Sequence, residues 1–220
     1  MNIKEILRQI PKRVTWSIKH ILLLSALMLS TVTSISAENP KTILVWGDSL
    51  SAAYGIRPEQ GWVKLLADEL SSQARIINAS ISGETTQGGV SRLPSALHQH
   101  KPDYVILELG GNDALRGYPI TEIRKNLNTM LENIKTSGAQ PILFGMKIPP
   151  NYGFKYTQEF EKIFSDLAKQ HKVIFLPFFL EGVANKFEYM QLDGIHPTAE
   201  AQTLLLDNVR PTITKALGGQ

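Results

Sequence analysis

Five short apolar runs, rich in β-branched residues, recur along the chain with helical patterns between them. They are Thr42 to Trp46, Arg75 to Ala79, Tyr104 to Leu109, Pro141 to Met146 and Val173 to Pro177. Several are apolar nearly throughout, the mark of strands covered on both faces. Helical spacing of apolar residues runs through Trp62 to Leu70, Thr121 to Thr136, Thr157 to His171 and Ala199 to Leu217. In the last of these, Pro211 is expected to kink or interrupt the helix, because it lacks a backbone donor. Strand and helix alternating in this way predict an α/β domain: a mostly parallel, five-stranded sheet with helices on both sides.

Ligands of such sheets sit at the carboxyl ends of the strands, and the loops that leave those ends here are chemically unusual. Gly47-Asp48-Ser49 follows the first run, Ser82-Gly83-Glu84 the second and Gly110-Gly111-Asn112-Asp113 the third. Residues 147–156 follow the fourth, and Asp193-Gly194-Ile195-His196-Pro197 lies in the long connection after the fifth. All five are expected to converge on one rim.

Residues 1–37 stand apart from this pattern. Lys4, Arg8, Lys12, Arg13 and Lys19 form a basic leader, residues 21–29 are apolar except for Ser25, and Ser36-Ala37 offers a small-residue cleavage site. This is the layout of a Sec-type signal peptide, and the apolar stretch is short for a membrane span. An uncleaved anchor is the alternative. The domain division is therefore 1–37 and 38–220, with the mature protein expected in the periplasm or outside the cell.

The leader also accounts for the charge. The whole chain has 23 basic and 20 acidic residues, a net of +3. Residues 38–220 hold 18 basic and 19 acidic residues, a net of −1, which removes any charge-based reason to invoke nucleic acid or an anionic membrane surface. With no cysteine in the chain, thiol nucleophiles and thiolate metal sites are excluded. A single domain of this size buries enough apolar surface to need no disulfide or metal.

The loops supply the three groups of a serine hydrolase. Ser49 is a weak nucleophile until a base adjoins it. His196 is the candidate base, and Asp193, three positions earlier, can hold its tautomer and stabilise the imidazolium. Each motif alone reads as an ordinary turn or helix cap; only the pairing of distant segments favours catalysis. Asp and His also bind zinc, but the other histidines of the domain (His98, His100 and His171) fall on helical surfaces or ends, so no metal site is expected. For the developing oxyanion, the backbone N–H groups of Ser49 and Gly83 and the side-chain amide of Asn112 are the natural donors. The segment lacks a Gly-x-Ser-x-Gly elbow, which argues against the usual α/β-hydrolase lipase fold.

In this order the four segments resemble the SGNH (GDSL) hydrolase superfamily. Its serine block is matched by Gly47-Asp48-Ser49-Leu50-Ser51 and its glycine block by Asn78-Ala79-Ser80-Ile81-Ser82-Gly83-Glu84-Thr85-Thr86. Leu109-Gly110-Gly111-Asn112-Asp113 matches the asparagine block, and Asp193-Gly194-Ile195-His196-Pro197 the last. The resemblance covers nearly all of residues 38–220. Outside the blocks, residues 115–118, 148–153 and 176–179 are similar to the periplasmic thioesterase I / lysophospholipase / arylesterase branch. It implies a three-layer, flavodoxin-like α/β/α fold, catalytic roles for Ser49, Asp193 and His196, an oxyanion hole of Ser49, Gly83 and Asn112, and no cofactor.

Two segments are expected to flank the site, residues 114–119 and 148–156. Leu115, Tyr118, Pro149 and Tyr152 are the candidate acyl-binding residues, with a mobile 114–119 loop selecting chain length. Phe178, Phe179 and Met190 read as core. The reaction expected is hydrolysis of acyl esters and thioesters, including lysophospholipids and aryl esters, by a monomer. A carbohydrate O-deacetylase or acetyltransferase of the same superfamily is the alternative enzyme, and a non-catalytic lipid-binding protein the alternative class.

Overall fold

The computed structural model describes residues 40–218 together with Asn2 and Glu5. The chain divides into two units, residues 1–39 and 40–220. Asn2 and Glu5, joined by a backbone hydrogen bond of 2.8 Å, are the described residues of the first. The segment read as a signal peptide otherwise lies outside the described residues.

In the second unit the elements run in the order β1 (Lys41–Gly47), α1 (Trp62–Glu69), β2 (Ala74–Asn78), α2 (Thr86–His100), β3 (Tyr104–Glu108), α3 (Gly111–Leu115), α4 (Ile120–Thr136), β4 (Gln140–Phe144), α5 (Phe154–His171), β5 (Ile174–Leu176) and α6 (Gln202–Ala216). All strand pairs are parallel and the sheet order is β2-β1-β3-β4-β5. Right-handed crossovers then place α1 on one face and α2, α4 and α5 on the other, because the chain moves one way from β1 to β2 and the opposite way afterwards. Accordingly α1 packs with α6, α2 with α4, and α4 with α5. The result is the α/β/α arrangement of the flavodoxin-like fold, with its switch point between β1 and β3.

The central strands are buried on both faces: Ile43, Leu44, Val45, Val105, Ile106, Leu107, Ile142 and Leu143 are wholly inaccessible. On the α1/α6 side, Trp62, Phe144 and Phe179 form an aromatic cluster with ring centroids 5.3–6.0 Å apart. The first turn of α1 is tied to α6 by a long-range cap. Trp62 N–H donates to the buried Gln202 Oε1 at 3.0 Å, while Gln202 Nε2 donates to the Thr198 carbonyl.

Two features depart from the sequence reading. Helix α2 was not among the helical patterns: Gly88, Gly89 and Pro94 interrupt its apolar signal. Its inward positions are Thr86, Gly89, Leu93 and Leu97, at helical spacing, but glycine occupies one of them because a Cβ at residue 89 would lie 2.6 Å from Leu109 Cδ1. Helix α6 runs through Pro211 without interruption, held by the buried Leu205, Leu206, Val209 and Ile213. Tertiary packing of that face outweighs the lost backbone bond. Among the described residues no helix is long and apolar enough to cross a membrane.

Candidate active site

Strand β1 ends at Gly47, and the chain turns at once into the buried Asp48 and Ser49. The turn needs glycine, since a Cβ at residue 47 would lie 2.5 Å from Glu108 Oε2. Ala53, four residues past the serine, adopts the left-handed region at φ 59°, a conformation unusual for a residue with a Cβ.

The other half of the site comes from residues 177–201, which connect β5 to α6. Met190 and Pro197 form an antiparallel bridge, closed by Gln191 N–H donating to the His196 carbonyl at 2.7 Å and Thr198 N–H donating to the Tyr189 carbonyl at 2.8 Å. Inside this small hairpin, Asp193 Oδ1 accepts the backbone N–H groups of Ile195 and His196 at 2.9 and 3.0 Å. Its second oxygen, Oδ2, lies 2.6 Å from His196 Nδ1. One carboxylate thus shapes the loop with one oxygen and orients the imidazole with the other. Burial alone would raise the Asp193 pKa, but the hydrogen bonds from His196 and Ile195 overcome it and bring it down to about 2. The group is an anion across the physiological range.

His196 Nε2 lies 2.8 Å from Ser49 Oγ. An acceptor-only carboxylate at Nδ1 requires that nitrogen to carry the proton, leaving Nε2 to accept from the serine hydroxyl. The ring is also packed: the Tyr54 ring lies against it at 4.4 Å, tilted by 39°. Gln191 links the two loops by donating from Nε2 to the Tyr54 carbonyl at 2.9 Å and the Pro197 carbonyl at 3.0 Å.

Asn112 stands in the first turn of α3, at the end of β3 and across the switch point from Ser49. Its Nδ2 donates to Asp48 Oδ2 at 3.0 Å. The neighbouring Asp113 is buried and accepts both the backbone N–H and the hydroxyl of Thr86, at 2.8 and 2.6 Å. Burial pushes the Asp113 pKa up against these bonds. This pins the start of α2, and with it the preceding Gly83 loop, to the Asn112 turn. Gly83 is in the left-handed region at φ 79°, and its carbonyl accepts from Arg116 at 3.3 Å.

Beneath Ser49 lie two buried carboxyl groups. Glu108 Oε2 accepts from Ser51 Oγ at 2.7 Å and from Asp48 N–H at 3.3 Å. Its Oε1 has no partner among the described residues. Burial, and then the Asp48 charge, raise the Glu108 pKa well above the usual carboxylate range. Burial raises Asp48 as well, from 3.8 to about 6, moderated by the Leu50 N–H, His196 and Asn112.

A cavity of 480 Å³ opens above these groups, lined at its floor by Asp48, Ser49, Asn112 and His196. Its walls are mostly apolar, including Leu115, Met146, Ile148, Pro149, Phe178 and Met190. Larger clefts of 620 and 590 Å³ lie elsewhere, but none of their lining residues belongs to this hydrogen-bonded set. Among the described residues no group of three or more His, Asp or Glu side chains is placed to hold a metal ion.

The structure brings Ser49, Asp193 and His196 into one hydrogen-bonded series, with Asn112 on the same cavity. Of the expected acyl-contact residues, Leu115 and Pro149 line the cavity. Tyr118 and Tyr152 are outside its lining and exposed; the Tyr118 carbonyl instead accepts from the Tyr156 hydroxyl at 2.6 Å. Phe178 and Met190 are not core as expected: both are half-buried cavity wall, while Phe179, adjacent to Phe178, points into the core. Tyr54, Gln191 and Glu108 were not singled out from the sequence. Only Glu108 left a signal there, as a carboxylate closing an otherwise apolar strand.

A parallel sheet with serine, histidine and aspartate in series above its switch point defines the class of molecule: an α/β/α hydrolase. Known proteins narrow the class. The chain belongs to the GDSL-like Lipase/Acylhydrolase family, which it matches over residues 45–204. It is 44% identical over 202 residues to Esterase TesA of Pseudomonas aeruginosa, covering 90% of this chain and 100% of that protein. With the Thioesterase 1/protease 1/lysophospholipase L1 of Escherichia coli it shares 43% identity over 181 residues, 82% of this chain and 86% of the other. Among solved structures, the psychrotrophic esterase EstA from a Pseudoalteromonas species superposes with a TM-score of 0.78 at 40% identity, covering 81% of this chain and 99% of that one. The protein is an enzyme, an acyl hydrolase.

Proposed function

We propose that this enzyme cleaves acyl esters and thioesters by a Ser-His-Asp mechanism through an acyl-enzyme. Ser49 attacks the acyl carbon as His196 Nε2 takes the hydroxyl proton, and Asp193 stabilises the imidazolium. The tetrahedral oxyanion is held by the Ser49 and Gly83 amides and the Asn112 side chain. His196 then passes its proton to the leaving alcohol or thiol, and deprotonates the water that releases the fatty acid. The observation that carries this reading is the pair of contacts at one imidazole, 2.8 Å to Ser49 Oγ and 2.6 Å to Asp193 Oδ2. Because one chain supplies all three groups, a monomer suffices.

The apolar wall supports fatty acyl substrates, aryl esters and lysophospholipids over acetylated sugars, each buried methylene contributing about 0.8 kcal/mol. Leu115 and Pro149 contact the acyl chain in this reading, with Tyr118 and Tyr152 further out on the rim. Ser49→Ala is expected to lower kcat on p-nitrophenyl acyl esters by about 10⁶-fold with the fold intact. Near-normal turnover in that variant excludes the mechanism, and a preference for acetyl over octanoyl esters transfers the enzyme to the deacetylase class. Residues 1–37 act as an export signal in the same proposal, and the mature amino terminus is expected at Glu38; an exported protein still carrying its leader would contradict it.

A further inference from the structure

We propose that Asp48 is a positioning residue for acyl transfer, its carboxylate fixing which end of the Asn112 amide faces the substrate. The proposal rests on the reading of Asn112 as an oxyanion donor and adds the reason why that side chain donates. The two ends of a carboxamide are nearly the same shape, so packing alone selects poorly between oxygen and nitrogen. A carboxylate accepts hydrogen bonds and cannot donate them. With Asp48 Oδ2 3.0 Å from the amide, only the NH₂ end is tolerated there. One N–H is spent on Asp48, and the second remains in the amide plane for the cavity that both residues line with Ser49. The flipped amide would set its oxygen against the carboxylate and against the developing oxyanion together.

Asp48 is itself held in place. Its Oδ1 accepts the Leu50 N–H at 3.0 Å, which fixes the plane of the carboxylate, and its own N–H donates to Glu108 Oε2. The ionisable groups facing Asp48 are His196, Asp113 and Glu108. The raised pKa of about 6 means that acid converts Asp48 into a carboxyl group that can donate to a flipped Asn112 as readily as accept from the native one.

The test is a double-mutant cycle on the full-length enzyme with a p-nitrophenyl octanoate substrate. Asp48→Asn keeps the shape and the Leu50 contact but removes the acceptor-only constraint. It is expected to lower kcat/KM by about 10²-fold, chiefly in kcat, as is Asn112→Ala, in line with the loss of one oxyanion donor. The double variant should lose no more than Asn112→Ala alone, because Asp48 acts only through that amide. Additive losses overturn the proposal and leave Asp48 as a turn-stabilising residue. An unaffected Asn112→Ala enzyme would instead sink the oxyanion reading beneath it. Should Asp48→Asn fail to fold, the acid limbs of wild type and Asn112→Ala decide: the wild-type limb should fall with the steepness of two protonations and that of Asn112→Ala with one. Equal steepness also overturns it.

Discussion

At the scale of single residues, the site stores its cost in Asp48. A carboxyl group whose pKa is raised binds protons more readily in the folded than in the unfolded chain. Its fold-destabilising effect is therefore fully present above the folded value and vanishes as pH falls below the unfolded one. Raised from 3.8 to about 6 by burial, the group destabilises the fold at alkaline pH. Asp48→Asn is thus expected to make the protein more stable while making it slower. The gain in melting temperature, roughly 2–4 °C per kcal/mol for a domain of this size, should be greatest at pH 8 and largely gone at pH 4. A variant less stable than wild type at pH 8 would mean that Asp48 contributes more through the Leu50 and Asn112 bonds than its burial costs.

The residues proposed to carry the chemistry were legible in the sequence because chemistry restricts them to few types. Ser49, His196 and Asp193 announced themselves by identity and by the short spacing of the last two. Their supports did not. Gln191 bridges two carbonyls 137 and 6 positions away, and nothing in a glutamine's identity encodes such a pairing. Phe178 and Phe179 show the same limit: adjacent identical side chains divide between cavity wall and core according to a backbone course that composition does not reveal.

At the scale of elements, the strands were legible because burial on both faces forces continuous apolar runs, as in Ile43 to Trp46 and Tyr104 to Leu107. Helix α2 was not, because the close approach of its axis to β1 and α4 demands glycine where periodicity would ask for a large apolar residue. Gly89 has Leu109, Met130 and Trp46 within 3.3 Å of a would-be Cβ. A stricter constraint falls at the end of β4. Gly145 donates to the Leu176 carbonyl at 2.7 Å, its own carbonyl accepts from Phe179, and a Cβ there would lie 2.1 Å from the backbone oxygen of Pro177. Gly145→Ala is expected to destabilise the fold by about 1–3 kcal/mol or more, since backbone rather than a side-chain tip must move. Because Met146 and Phe178 line the cavity on either side of that contact, acyl-length preference should shift in the same variant. Unchanged urea midpoints would show that β4 and β5 separate there freely.

At the scale of the whole molecule, sheet order does what no single element can. The reversal between β1 and β3 sets the Ser49 and Asn112 loops side by side, and the right-handed crossovers leave that edge open. Asp193 and His196 arrive from residues 177–201, a connection whose regular structure is one 3-10 turn, Phe187–Tyr189, and the Met190–Pro197 bridge. Leu192 beside Asp193 is 99% exposed, and the bonds that hold this segment to the serine loop run through Gln191, the Tyr54 ring and the His196–Ser49 contact. Residues 191–196 are exposed or half-buried throughout, and segments with few buried contacts open at lower free energy than the sheet they rest on. The hairpin is therefore expected to open on warming before the sheet does, with amide exchange at residues 191–196 faster than in β1 and β3 as the measurement that checks it.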